Sequence, residues 1–305
     1  MNDIIGHDKI QDFFAKVIDN GGLSHAYCFV GLEMLGKKTL AENLAAKLLE
    51  KETPQVSPDF TAVDQLFDEK TEKTKKNITV AQIRDLREFL ARSSYSGGYK
   101  VAIINGAEKM NSEASNALLK TLEEPTKKTI LFLITTDEKR LPETIRSRCQ
   151  MIYFSPVDTK LIAKYLESLN KEDTEEMSRL SLGMPGRAVR WAKDTDQYEW
   201  YKQEVLRFDS LFDKNFHEKI KTVEDLFGDK TDHIAARKNL IDVLRIWEIL
   251  VRDSCLKDRS IHKIKASLDK ISATSLYNSI CEAREMLLQN IHPRLIIENI
   301  LLKLP

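Results

Sequence analysis

Gly31-Leu32-Glu33-Met34-Leu35-Gly36-Lys37-Lys38-Thr39 is the stretch on which the fold turns. It follows a short apolar run, Ala26-Tyr27-Cys28-Phe29-Val30, and opens an Ala- and Leu-rich segment from Lys37 to Lys51. Strand, glycine loop and helix in that order form the layout of a phosphate-binding loop. Glycines let backbone amides curl round an anion, and the helix N-terminus faces it. The pattern GxxxxGK followed by Ser or Thr is met at Gly31, Gly36 and Lys37, then departs. The position that should offer magnesium a hydroxyl holds Lys38, an ammonium with no lone pair to give. Thr39 comes one residue late, roughly 100° further round the helix.

Working outward, residues 8–20 carry apolar positions at helical spacing and stop at Gly21-Gly22. Residues 57–63 hold a candidate strand, and the charge run 68–76 reads as an exposed loop. Thr79 caps a helix over 80–93, and Gly97-Gly98 marks a turn. The runs 100–105, 129–135 and 151–154 are continuous and apolar, as buried parallel strands are. A helix over 111–124 stops at Pro125, and a short one ends at 144–148. Alternation of apolar strands with helices predicts a parallel sheet covered on both faces. After Pro156 the pattern is helical, with two or three short helices over 158–193 interrupted at Gly183-Met184-Pro185-Gly186. From 197 to 303 it is helical throughout, with breaks near Gly228, Ser260 and Pro293, and the apolar segment Ile291–Leu304 reads as a packing helix. Trp191, Trp200 and Trp247 are expected in cores or interfaces.

Composition narrows the class. The 305 residues exceed one small domain, and 42% apolar with 31% charged residues suffices for real cores. Lys+Arg and Asp+Glu both number 47, so no global basic field points to nucleic acid. Cys28, Cys149, Cys255 and Cys281 are too scattered for a zinc cluster. No signal-peptide pattern and no membrane-length apolar run is read, so a cytoplasmic, membrane-free protein is expected.

The second chemical element is Val101-Ala102-Ile103-Ile104-Asn105-Gly106-Ala107-Glu108. In P-loop ATPases this strand ends in a magnesium-holding acid, usually followed by a glutamate that polarises water. Asn105 and Gly106 occupy those positions, and Glu108 reads as a surface or interface residue. Lys38 and Asn105-Gly106 are thus two losses at one metal site. The third element pairs Asn116-Ala117-Leu118-Leu119-Lys120-Thr121-Leu122-Glu123-Glu124-Pro125 with Ser147-Arg148-Cys149; nearby Arg146 reads as a surface residue.

The LLKTLEEP helix and the SRC tripeptide resemble the clamp-loader branch of the AAA+ family. Ile4-Ile5-Gly6-His7-Asp8 and Ser24-His25-Ala26-Tyr27-Cys28-Phe29 resemble its bacterial members, and the broken metal site beside an intact SRC resembles its delta-prime type. The resemblance covers roughly residues 1–190. It implies a RecA-like AAA+ P-loop domain over 1–156, a helical lid over 157–196 and an all-helical collar over 197–305. It implies an ATPase-deficient subunit of the DNA polymerase III clamp loader in replication. The alternatives are an active gamma/tau-type ATPase and a non-replicative AAA+ adaptor.

In the resemblance, the Arg148 guanidinium reaches across a subunit boundary to a neighbour's ATP, flanked by Ser147 and Cys149. Such a finger supplies about 10³ to 10⁵ in rate. Thr136 falls at the sensor-1 position, with a plain strand-end residue as the other reading. Arg187 falls at the sensor-2 position, with stabilisation of the lid as the other reading. The implied partners are the gamma/tau motor subunits and the delta subunit, with the sliding clamp and primed DNA reached through the complex. Residues 46–60 lack the cysteines of the family's zinc module, so no zinc is expected. No cofactor is required, and the surviving Gly31, Gly36 and Lys37 leave room for weak ATP or ADP binding.

Overall fold

The computed structural model describes residues 4–68, 73–75, 77–171, 173–227, 233–254, 270–287 and 292–304. The chain divides into two units, Met1–Val189 and Arg190–Pro305.

The first unit is built on strands β1 (Ala26–Val30), β2 (Phe60–Val63), β3 (Phe67–Asp68), β4 (Lys73–Thr74), β5 (Lys100–Asn105), β6 (Thr129–Thr135) and β7 (Gln150–Tyr153). Among the described residues five of them form one parallel sheet, in the order β2-β5-β6-β1-β7. Its helices are α1 (Asp8–Asp19), α2 (Lys37–Leu48), α3 (Val80–Ala91), α4 (Ser112–Glu123), α5 (Glu143–Arg146), α6 (Thr159–Ser168), α7 (Thr174–Leu180) and α8 (Pro185–Lys193), the last running past the unit's end at Val189.

Strand periodicity of two sorts the central side chains onto two faces. Cys28, Ala102, Ile104, Leu131 and Leu133 face a core completed by Ile83, Leu86 and Leu90 of α3 and Ala114, Leu118 and Leu122 of α4. Tyr27, Phe29, Val101, Ile103, Ile130 and Phe132 face the other core, with Phe14 of α1 and Leu40, Ala41 and Leu44 of α2. Every strand of the centre is therefore apolar on both sides, which is why these runs lack alternation in the sequence.

Local signals start and stop the helices. Thr79 and Gln82 form a reciprocal capping box on α3. Asn111 accepts from the Ala114 amide at 2.8 Å to open α4. Pro125 closes it, because the residue before a proline is driven out of helical geometry.

The 68–76 segment differs from the expected loop. Its ends pair as a short antiparallel ribbon, Phe67 opposite Thr74 and Asp68 opposite Lys73, with residues 69–72 and 76 outside the described set. Two-residue strands carry too little periodicity to stand out of a charge run.

The described residues of the second unit are helical: α9 (Thr195–Ser210), α10 (Phe216–Val223), a 3-10 turn at Glu224–Phe227, α11 (His233–Ser254), α12 (Lys270–Leu287) and α13 (Pro293–Leu301). Its core gathers Leu240, Val243, Leu244 and Trp247 of α11, Leu276 and Ile280 of α12, and Ile297 and Ile300 of α13. Trp247 lies against Phe208, Trp191 against Tyr198 and Tyr201, and Trp200 is half-buried. The expected breaks at Gly228 and Ser260 lie outside the described residues. Pro293 begins α13, as a first-turn proline can. A further break at Leu211–Asn215 was readable from Asn215 and Glu218, which form a capping box on α10.

Candidate functional site

β1 occupies a switch point in the sheet: β6 lies on one side of it and β7 on the other. The crevice beyond the carboxyl ends of such strands is where open α/β sheets bind ligands. The glycine loop leaves β1 there. Gly31 has φ +152°, and a Cβ on it would meet the Phe154 carbonyl oxygen at 2.6 Å. The His7 ring donates to the Leu35 carbonyl at 2.8 Å, and burial pulls its pKa down against the opposing effects of that bond and of Asp8. From the far side, the Gly186 amide donates to the Met34 carbonyl at 2.8 Å, and a Cβ on Gly186 would meet that oxygen at 2.9 Å. The loop is thus clamped by residues distant in sequence.

Behind it opens a cleft of about 430 Å³, within the usual size of small-ligand sites. Gly36, Lys37, Lys38, Thr39, Asp64, Asn105, Glu108, Thr136 and Gly186 are on its wall. Lys37 is buried and turned inward, donating to the carbonyls of Gly31 and of Leu32. Burial lowers its pKa to about 8, against the attraction of Glu108 and Glu33.

The metal corner of the cleft is filled from within. The Lys38 ammonium lies 3.0 Å from an Asp64 carboxylate oxygen. The Asn105 amide donates to the other Asp64 oxygen at 2.6 Å. Magnesium prefers an octahedral shell of oxygen donors. Here an ammonium engages one oxygen of the carboxylate and an amide the other, so the corner offers a dication a like charge and no free anionic oxygen. These residues do not fit the metal.

Glu108 departs from the expected surface role. It is half-buried and accepts from the Thr136 hydroxyl at 2.8 Å and the Thr136 amide at 3.4 Å, while its second oxygen is buried. The 3-10 turn Ala107–Lys109 after β5 folds it back over the cleft. Thr136 is therefore a cleft residue held by a carboxylate. Thr39 borders the cleft too, although it sits one residue beyond Lys38. Gly31 shapes the loop without lining the cavity, and half-buried Arg187 follows Gly186 without lining it.

Asp64 was not singled out by sequence reasoning, nor was Glu108 placed at the cleft. One signal was available for Asp64, an acid immediately after the strand Phe60–Val63 and hence at a carboxyl end.

Ser147, Arg148 and Cys149 lie outside this cleft, between α5 and the edge strand β7. The Arg148 side chain is 36% exposed and ion-paired with Glu123 at 2.9 Å. It also donates to the Thr144 carbonyl at 2.9 Å and to the Ser147 hydroxyl at 3.4 Å. Cys149 packs against the core, and burial pushes its thiol and that of Cys28 up to about 12, so Cys149 stays a protonated apolar group. Arg146, expected at the surface, is half-buried with its Nε out of solvent.

A family model described as DNA polymerase III, delta subunit, matches residues 6–158. The chain is 37% identical over 182 residues to the DNA polymerase III subunit delta' of Pseudomonas aeruginosa, a match covering 55% of this chain and 55% of that protein. With the subunit delta' of Bacillus subtilis it is 27% identical over 325 residues, covering 97% of this chain and 95% of the relative. The match with the Pseudomonas protein thus spans about half of that relative's length. Among solved structures, a DNA polymerase III gamma subunit-related protein of Thermotoga maritima shares the fold with a TM-score of 0.55 at 17% identity, covering 98% of both chains. No described helix is long and apolar enough to cross a membrane.

Proposed function

Since the chain belongs to the DNA polymerase III delta-subunit family, as a delta-prime-type member with a RecA-like AAA+ fold, we propose that it is the ATPase-deficient stator of a clamp loader. It stands beside tau/gamma-type motor subunits and a delta-type subunit, and helps place the sliding clamp on primed DNA. Residues 157–196 act as its lid and 197–305 as its collar. The observation that carries the reading is the Lys38–Asp64–Asn105 network, which takes up the metal corner of the chain's own cleft. With no site for magnesium, the cleft retains at most weak, metal-independent hold on ATP or ADP. Thr136 and Arg187 then serve the packing of the cleft and lid and do not read a γ-phosphate.

The working group is Arg148. A guanidinium stays charged at any cellular pH and donates in a planar fork suited to phosphate oxygens. On this reading it completes the ATP site of the adjacent motor subunit, with Ser147 fixing the bend and Cys149 rooting the segment in the core. The test is an Arg148→Ala substitution in a reconstituted complex. DNA-stimulated ATP hydrolysis and clamp loading should both fall, and unchanged rates would refute the finger role. An active motor subunit is the poorer reading, because it would need a metal bound beside Lys38.

A further inference from the structure

Arg148 has five N–H donors on a long side chain, and its backbone amide donates to the Ile145 carbonyl at 3.1 Å just past the end of α5. Three contacts aim the guanidinium. Nη1 is held on its own turn by the Thr144 carbonyl and the Ser147 hydroxyl. Nη2 is held from another element by Glu123, the last residue of α4. Glu123 is well placed for this. Pro125 ends the helix just beyond it, and Leu118 and Leu122 anchor that helix in the sheet's core. The carboxylate therefore comes from a rigid platform, while the arginine comes from a short turn. Both side chains are substantially exposed, at 36% for Arg148 and 50% for Glu123. Exposed pairs of this kind add little to stability. This one does, however, confine a long side chain that would otherwise sample many rotamers.

We propose that Glu123 is the positioning residue of the Arg148 finger: it pre-orients the guanidinium at the subunit surface so that the two donors left over face outward toward a neighbour's phosphate. The inference rests on the trans role of Arg148 given above. Glu123 touches no reacting atom itself. It lowers the ordering cost that Arg148 would otherwise meet on docking, as pre-organised groups do.

The experiment is a double-mutant cycle in the reconstituted complex with motor and delta-type subunits, reading DNA- and clamp-stimulated ATP hydrolysis. Glu123→Ala should lower kcat by roughly three- to tenfold with KM for ATP unchanged. Glu123→Gln, which keeps an oxygen acceptor for Nη2, should recover most of the loss. In the Arg148→Ala background, Glu123→Ala should have no further effect, because the two residues act as one unit. Thermal melting of the Glu123 variants should match the parent chain, excluding a loss through folding. If Arg148→Ala slows hydrolysis and Glu123→Ala does not, or accelerates it, the positioning role is overturned and the finger stands. A Glu123→Ala loss that persists in the Arg148→Ala background overturns it too. If neither substitution slows hydrolysis, the finger reading itself has failed.

Discussion

In the cleft behind the glycine loop, Lys38 spends its charge on Asp64 and Lys37 folds onto the carbonyls of Gly31 and Leu32. Beside β7, Arg148 is also paired, yet to a partner at the surface, with part of its fork left in solvent. Both regions belong to one sheet domain and both present cations at its polar margins. The difference lies in what each cation has left to offer. Lys37 is buried inside a clamped loop, and Lys38 shares its acceptor with an amide from a neighbouring strand. Arg148 is held by Glu123, the Thr144 carbonyl and the Ser147 hydroxyl and still has two N–H donors uncommitted. On the proposed reading, a domain without its own metal site can still lend a group to the next subunit, because the cleft and the Arg148 turn lie apart on the same sheet domain.

The largest effect expected from this contrast concerns turnover in the assembled complex. Arg148→Ala should reduce hydrolysis at the motor site it faces by about 10³-fold, whereas Lys38→Ala should leave the same rate within about twofold. Equal losses from both variants, measured by steady-state ATPase, would show that the two regions are not separate in function.

Next in size is an attempt to reopen the cleft. Lys38→Thr with Asn105→Asp supplies a hydroxyl and restores an acid beside Asp64. Magnesium-dependent ATP binding by the isolated chain should tighten at least about tenfold, or about 1.4 kcal/mol. Titration calorimetry with and without magnesium checks this, and equal affinities would mean that the loop itself, not the metal corner, is what fails.

A smaller effect comes from Lys37. Its folded pKa of about 8 lies below the ordinary 10.5. Between those values the unfolded chain binds the proton and the folded chain does not, so this residue's contribution to stability rises with pH across that window and is flat below it. Relative to Lys37→Met, the wild-type chain should gain on the order of 1 kcal/mol per pH unit from about pH 8 upward. Denaturant melts at pH 7 and pH 9.5 provide the measurement, and a pH-independent difference would place Lys37 in solvent.

The smallest effect is expected from Asp64→Ala. The Lys38–Asp64 pair is about half in water, with both side chains 44% exposed, so the loss should stay within about 1 kcal/mol. A loss of several kcal/mol in the same melts would mean that the network holds the fold rather than only the cleft.

Much of the fold was legible because its causes are local. The unbroken apolar runs 100–105 and 129–135 predict doubly covered strands, and Thr79 and Pro125 mark helix ends by hydrogen bonding and sterics within a few residues. The Phe67–Thr74 ribbon is too short to carry periodicity, and the break before Asn215 is marked in the sequence only by the Asn215–Glu218 capping box. The site was legible by halves. Gly31, Gly36, Lys37 and Lys38 announce a phosphate loop without a metal ligand. Asp64, the group that occupies Lys38, did not stand out among the chain's 47 acidic residues.

By itself, then, the amino-acid sequence determined the strand–loop–helix unit, the two-faced sheet, the missing hydroxyl at Lys38, the missing acid at Asn105 and the arginine at Arg148, since each depends on residue chemistry and short-range geometry. Only the tertiary structure decided what those side chains meet. Sheet order sets the ends of β1, β2, β5 and β6 round one crevice, so Asp64 reaches Lys38, 26 residues away, and Asn105, 41 away. The same packing brings Glu108 to Thr136 and Glu123 to Arg148. Distances along the chain carry no trace of such meetings, because they are fixed by the burial of apolar strands between helices, and the polar residues at the strand ends go where that burial takes them.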